Sequence, residues 1–187
     1  MKVINTGTID PYKSLWGIKS MQYIKGKYQY PRVSQSDLIT ISKRRYNQAM
    51  SNKIIVAGMS SRIEAVYDDG ETTLGGKSTT IIMGDDLRFL LGLLNSKLVS
   101  FSINILYNSI KMAGGYLNIG TREIENIPIP IASPVVQHSI ESLVDGILKK
   151  ICENTQMDSS NLENEIDGLV YSLYGLSEDE IKIVESN

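Results

Sequence analysis

KIIVAGMSSRIEAVYDDGETTLGGKSTTIIM, residues 53–83, sets short apolar runs between clusters of turn residues, and this pattern points to a sheet. Within it, Lys53-Ile54-Ile55-Val56-Ala57-Gly58 and Ile63-Glu64-Ala65-Val66-Tyr67 are short runs rich in β-branched residues, which suit a pleated, half-buried surface. Both read as strands. Asp68-Asp69-Gly70 supplies turn chemistry, because Asp and Gly tolerate the backbone angles a tight turn requires. The loop Gly75-Gly76-Lys77-Ser78 then leads into a third strand, Thr79-Thr80-Ile81-Ile82-Met83. Short strands joined in this way predict an antiparallel or mixed sheet.

On the N-terminal side, Gly7, Pro11, Gly17, Gly26 and Pro31 interrupt the apolar runs of residues 1–50 too often for a long helix, so strands and loops are expected there. On the C-terminal side, Asp85 or Asp86 can cap a helix from Leu87 to about Asn108. Gly114-Gly115-Tyr116-Leu117-Asn118-Ile119-Gly120 follows as a turn and short extended piece. The alternating prolines of Ile127-Pro128-Ile129-Pro130 favour an extended connector. Beyond it the composition changes. Ser133-Pro134 is an N-cap with Pro at the first helical position, opening a helix to about Asn154. Ser160 with Glu163, and Ser177 with Glu180, are capping boxes for two further helices. This hairpin of helices is too thin to bury its apolar stripe alone, so it should pack on the first part or on another chain, self-association included. The expectation is an α+β protein: a mixed or antiparallel sheet in residues 1–131, followed by a C-terminal helical hairpin in residues 132–187.

The chain has 187 residues, 42% apolar and 21% charged, long enough for one domain with an appendage to bury a core without disulfides or metals. A single cysteine, Cys152, excludes a disulfide framework. The most apolar stretch, Leu87–Tyr107, is interrupted by Arg88, Asn95, Lys97 and Asn104, whereas a membrane span needs about 20 mostly uncharged residues. The start, Met1-Lys2-Val3-Ile4-Asn5-Thr6, turns polar too soon for a signal peptide, and a cytoplasmic location is expected.

The net charge of −2 conceals a division. Residues 1–125 carry 16 Lys+Arg and 10 Asp+Glu, a balance of +6, while residues 126–187 carry 3 and 11, a balance of −8. Between Pro11 and Arg62, ten cations accompany one acid, Asp37, and Tyr12, Trp16, Tyr23, Tyr28, Tyr30 and Tyr46 are interleaved with them. A basic surface carrying flat side chains attracts polyanions, nucleic acid above all. A solvated basic face without a ligand is the alternative.

Catalytic motifs fail on inspection. Gly76-Lys77-Ser78-Thr79 resembles the end of a phosphate-binding P-loop, but the pattern needs a glycine at position 71, where Glu71 stands. The glycines at 114, 115 and 120 follow a helix rather than joining strand to helix, so backbone turns explain them better than a cofactor loop. Glu180-Ile181-Lys182 matches the end of a nuclease metal motif but lies on a capped helix with no acid on a nearby strand. The single histidine, His138, and Cys152 cannot make a zinc site, and no nucleophile elbow accompanies the histidine. No catalytic activity is expected in this chain, and no metal site. By elimination it reads as a binder.

Several of these segments recur together, and in this order, in a known family. Gly7-Thr8-Ile9-Asp10-Pro11-Tyr12 with Trp16-Gly17, Lys53–Met59, Ile63-Glu64-Ala65, Gly76–Thr79, Leu91–Leu98, Gly115–Gly120 and Ile127–Pro130 resemble the TaqI-like specificity domain, similar to the target recognition domains of type I restriction specificity subunits. The resemblance covers residues 3 to about 131. It implies sequence-specific recognition of double-stranded DNA on behalf of an adenine-specific DNA methyltransferase or endonuclease in a type II restriction–modification enzyme. Ile140–Ile151 is similar to the spacer helix that follows such domains, and Glu163–Asp167 with Val170–Leu176 to their terminal segment. A methyltransferase's AdoMet loop and Asn-Pro-Pro-Tyr motif are absent from the sequence. AdoMet and Mg are therefore expected only in the other domains or subunits of a parent enzyme, with this chain as its recognition part.

Under that reading the candidate DNA contacts are Lys25, Lys27, Tyr28, Arg32, Lys43, Arg44, Arg45, Lys53, Arg62 and Lys77. Cations would neutralise phosphates and set the register. Arg44 and Arg45 are the expected base readers, since a guanidinium matches guanine O6 and N7 with two bonds. The alternative is a protein-interaction module that works through the C-terminal helices and leaves DNA alone.

Overall fold

The computed structural model describes residues 1–70, 72–112 and 114–186; Glu71, where the P-loop register fails, lies outside them. The chain forms β1 (Lys2–Ile4), a 3-10 turn, β2 (Ile9–Asp10), β3 (Lys13–Ser14), β4 (Met21–Tyr23) and β5 (Gly26–Tyr28), then α1 (Gln35–Ile41) and α2 (Lys43–Met50). Next come β6 (Asn52–Ala57), β7 (Met59–Ser60), β8 (Ala65–Asp69), β9 (Thr73–Gly75) and β10 (Thr79–Ile82). The remainder is helical, α3 (Leu87–Asn95) and α4 (Lys97–Leu106), then β11 (Leu117–Asn118), α5 (Thr121–Glu125), α6 (Pro134–Glu153), α7 (Ser160–Tyr174) and α8 (Glu178–Glu185). This is the mixed α+β architecture, with C-terminal helices, that the sequence implies.

The quoted stretch forms the central sheet. β6 pairs antiparallel with β8 on one side and β10 on the other. Because side chains alternate along a strand, β6 serves two cores at once. Ile54 and Val56 face the large helical cluster, while Ile55 and Ala57 join Ile4, Ile9 and Val66 on the opposite face. With both faces covered the strand reads as an almost unbroken apolar run. β1 pairs parallel with β9, and β2–β3, β4–β5 and β7–β11 are small antiparallel pairs.

Two expectations about helices need correction. Residues 35–50 are not strand and loop but α1 and α2, each started by a serine whose hydroxyl accepts a backbone N–H: Ser34 from Asp37 and Ser42 from Arg45. The single helix expected over Leu87–Asn108 is two, bent by 62° at Ser96. There the Asn95 amide leaves the helix to bond both backbone groups of Ala65 on β8, at 2.9 and 3.0 Å. Ser96 then caps the restart by accepting from Val99 N–H. The C-terminal signals hold with one shift: Ser133 and Ser177 cap α6 and α8, while the residue before α7 is Ser159, not Ser160, and its hydroxyl donates to the Glu163 carboxylate instead of accepting a backbone N–H. Among the described residues no single helix is long and apolar enough to cross a membrane.

The C-terminal helices pack on their own chain. Ile140, Val144 and Ile147 of α6 and Ile166 and Val170 of α7 are fully or almost fully buried in the same cluster as Ile54, Leu91 and Leu93, so one core crosses residues 131/132. Polar ties add direction. Lys97 at the start of α4 pairs with Asp167 of α7 and Glu185 of α8, and Tyr171 donates to Glu185 at 2.7 Å. Burial pushes the Asp167 carboxyl up against the pull of Lys97, whereas bonds from Tyr171 and Lys97 hold Glu185 below the ordinary carboxylate range.

Gly92 marks the closest approach of these layers. A Cβ added there would lie 2.7 Å from Ile140 Cγ2 and 3.2 Å from Val144 Cγ2. Gly92→Val is therefore expected to destabilise the protein by about 1–3 kcal/mol, as a lower urea midpoint at unchanged slope. Gly168→Ala, on α7 with nothing within 4 Å of the new Cβ, is the control and is expected to stabilise by up to about 1 kcal/mol. Equal effects at the two sites would show that the α3–α6 contact has slack.

Candidate nucleic-acid interface

The two faces of the central sheet have different fates. The face carrying Ile54 and Val56 is covered by helices, and the other supports the N-terminal segment, where an open groove of about 1150 Å³ lies. The β4–β5 hairpin forms one wall, the Tyr30–Val33 strip a second, and the Gly76–Ser78 loop a third, with Arg45 at the base. None of the described lining residues is acidic.

Each wall is fixed by local bonds. The Tyr30–Val33 strip runs beside β1, with Val3 N–H donating to Pro31 at 3.0 Å and Val33 N–H to Met1 at 3.1 Å. Trp16 holds it from behind: its indole N–H donates to the Pro31 carbonyl at 2.9 Å, and Tyr30 packs edge-on to the indole, with centroids 5.3 Å apart. Gly17, at φ +80°, makes room, since a Cβ there would sit 2.8 Å from the Tyr30 ring. The Arg32 guanidinium lies 4.9 Å over the indole, and Lys2 Nζ is 5.8 Å from it. Stacking on an aromatic face pre-orders a guanidinium without consuming its hydrogen-bond donors. The loop is strapped down as well. Gly76 N–H donates to Ile4 at 2.7 Å, and the Thr6 hydroxyl donates to the Ser78 carbonyl at 2.6 Å while accepting from Gly58 N–H. Lys77 is left exposed at the crest of this loop.

The groove gathers some of the candidate contacts and separates others. Tyr28, Arg32, Arg45 and Lys77 line it. Lys25 and Lys27 are exposed on the hairpin that forms its wall. Lys43 and Arg44 are exposed on the first turn of α2, beside Arg45. Arg45 itself is half-buried and donates to the Gly75 carbonyl, so it braces the groove instead of projecting from it. Arg62 sits apart, in a second cleft with Lys97, Asn104 and Lys111.

Lys53 is a correction. It lies on the Ile55 face of β6 but is 0% exposed beneath α2, where its ammonium bonds the Ala49 and Ser51 carbonyls at 3.0 Å each and pairs with Asp68, its cross-strand partner on β8. A cation so enclosed cannot meet a phosphate. Residues 1–50 also hold neighbours of the groove that sequence reasoning does not single out: Lys2, over Trp16, lies outside the basic window, and Gln22, Ile24 and Asn5 in the groove lining carry no charge signal. Their common feature is adjacency in space to Trp16 or the hairpin, which only the fold reveals. Among the described residues no group of three or more His, Cys, Asp or Glu side chains could hold a metal ion.

A groove whose described lining holds no acid, edged by cations and tyrosines on a sheet whose other face is covered by helices, defines a module suited to receiving a polyanion. The family of TaqI-like C-terminal specificity domains matches residues 4–129, about two thirds of the chain, and the chain belongs to that family. Membership points to DNA sequence recognition in restriction–modification enzymes. A comparison with curated proteins finds no match.

Proposed function

We propose that this chain reads a specific sequence in duplex DNA through the groove between the β4–β5 hairpin, the Tyr30–Val33 strip and the Gly76–Ser78 loop. It would thereby direct an adenine-specific DNA methyltransferase or endonuclease, held in another domain or subunit, to its site in the cytoplasm. The observation that carries the reading is Arg32, exposed and stacked on Trp16 at the edge of a groove whose described lining holds no acid. Lys25, Lys27, Arg32 and Lys77 are the exposed candidate cations on or beside this face, and Lys43 and Arg44 are exposed at the start of α2, the helix that supplies Arg45. Lys43 and Arg44 occupy the positive end of a helix dipole, a placement that costs helix stability and that an approaching phosphate reverses. Arg32 replaces Arg45 as the leading base reader, because Arg45 spends donor capacity on Gly75. The interaction-module alternative is weakened by the apolar stripe of α6 and α7, which is spent on α3 and the sheet.

Fluorescence anisotropy with labelled duplexes tests this. With about six phosphates contacted, the log–log slope of affinity against salt is expected near −5. Arg32→Ala is expected to cost about 1–3 kcal/mol of discrimination between a selected site and its single-base variants. Lys77→Ala should weaken all duplexes alike and make the slope shallower by about 1. Arg62→Ala should change neither. Absence of salt-sensitive binding at about 50 mM salt would overturn the proposal.

A further inference from the structure

We infer that Ile24, at the tip of the β4–β5 hairpin, is an apolar wedge that enters a base step of the bound duplex and partly unstacks it. The inference rests on the DNA-binding reading above. Ile24 is 80% exposed, so it contributes nothing to the core, and it sits at φ +52°, in the left-handed region. A hairpin tip facing only water favours Asn or Gly at such a position, because a β-branched residue is strained there. An isoleucine held in strain and in water is unfavourable on both counts within the free protein, a combination that recurs where a side chain is held ready for a partner.

The tip is braced for that role. Gln22 donates from its side chain to the Ile24 carbonyl at 3.3 Å, and the Tyr28 ring lies across Gly26, where an added Cβ would fall 2.6 Å from the phenol oxygen. The hairpin's foot is tied to the body by Asn5, which donates to the Gln22 carbonyl at 3.1 Å, and by Gln29, which donates to the Gly17 carbonyl at 2.6 Å. The surroundings choose the partner. Lys25 and Lys27 flank the tip, Tyr23 and Tyr28 are exposed beside it, and Ile24 itself borders the groove that holds Arg32 and Lys77. An exposed aliphatic tip among cations that can neutralise phosphates matches the way Ile, Leu, Met, Phe or Pro wedges open a step, at least cost in flexible pyrimidine–purine steps.

The test uses the full chain and duplexes enriched from a random-sequence pool by binding to it. 2-Aminopurine is moved step by step through the enriched duplex, and a donor–acceptor pair on its ends reports bending. The expected result is brightening of 2-aminopurine at one step and a bend within about 20–90°. Ile24→Asn, which suits the left-handed backbone, should lose both signals while the salt slope stays unchanged, and Ile24→Leu should keep both. Salt-sensitive binding to straight, fully stacked DNA, or an Ile24→Asn complex as bent as the parent, overturns the wedge and leaves the DNA-binding reading standing. No salt-sensitive binding at all overturns both.

Discussion

A chain ending at residue 131 is expected to collapse into an aggregating or molten state instead of a free recognition domain. α3 is enclosed over most of its surface, for Leu91 and Leu93 are 0% exposed and Leu94 is almost as enclosed, between the sheet and the C-terminal helices. Removing residues 132–187 deletes Ile140, Val144, Ile147, Ile166, Val170, Tyr171 and Val184, all buried in the shared cluster. At about 1.5–3 kcal/mol for each buried apolar side chain, the loss rivals or exceeds the roughly 5–15 kcal/mol by which an ordinary domain is stable. The shortened chain should bind a hydrophobic dye, keep its far-ultraviolet circular dichroism and lose the near-ultraviolet signal. A soluble fragment with a cooperative urea transition would mean that the sheet layer is self-sufficient.

Replacing Asp68 by alanine is expected to cost about 3–5 kcal/mol, among the largest effects of any single substitution in this chain. The reason is what remains. Lys53 would stay fully buried with the Ala49 and Ser51 carbonyls as its neighbours and no counter-charge. Replacing both partners, as Lys53→Met with Asp68→Leu, should recover most of that loss, since a buried ion pair exchanged for apolar groups of similar volume is often neutral. Recovery should be incomplete because the two carbonyls lose their donor. Urea unfolding of the two variants beside the parent decides the matter. A mild effect of Asp68→Ala would mean that Lys53 reaches water. In the double variant the salt dependence of DNA binding should match that of the parent, since Lys53 contacts no phosphate.

The contrast between Lys53 and Ser133 shows what a one-dimensional reading can reach. Helix signals that act within three or four residues, such as Ser133-Pro134 or Ser177 with Glu180, are written beside the structure they cause, and the helices begin where those residues stand. The strands of 53–83 are legible for the same reason, since alternation and turn chemistry are local. The break at Ser96 hides inside a helical spacing of apolar residues that runs on past it, and the Asn95 bond to Ala65 that accompanies the break spans 30 residues. Lys53 looks like any surface cation until β6 pairs with β8 and brings Asp68 opposite it. The α1–α2 pair was obscured by the breakers before it, although no glycine or proline lies between Val33 and Ala57. The groove was legible as a charge excess but not as a place, because four separate segments build it.

Trp16 has a use beyond structure. It is the one tryptophan of the chain, and it stands behind the groove wall in contact with Arg32, Tyr30 and the Pro31 carbonyl. Whatever draws Arg32 off its ring, or rotates the strip that its N–H holds, changes the polarity around the only indole the molecule has. The protein thus carries an intrinsic optical gauge at its candidate binding surface, and emission from unlabelled chain is expected to shift when that surface is occupied.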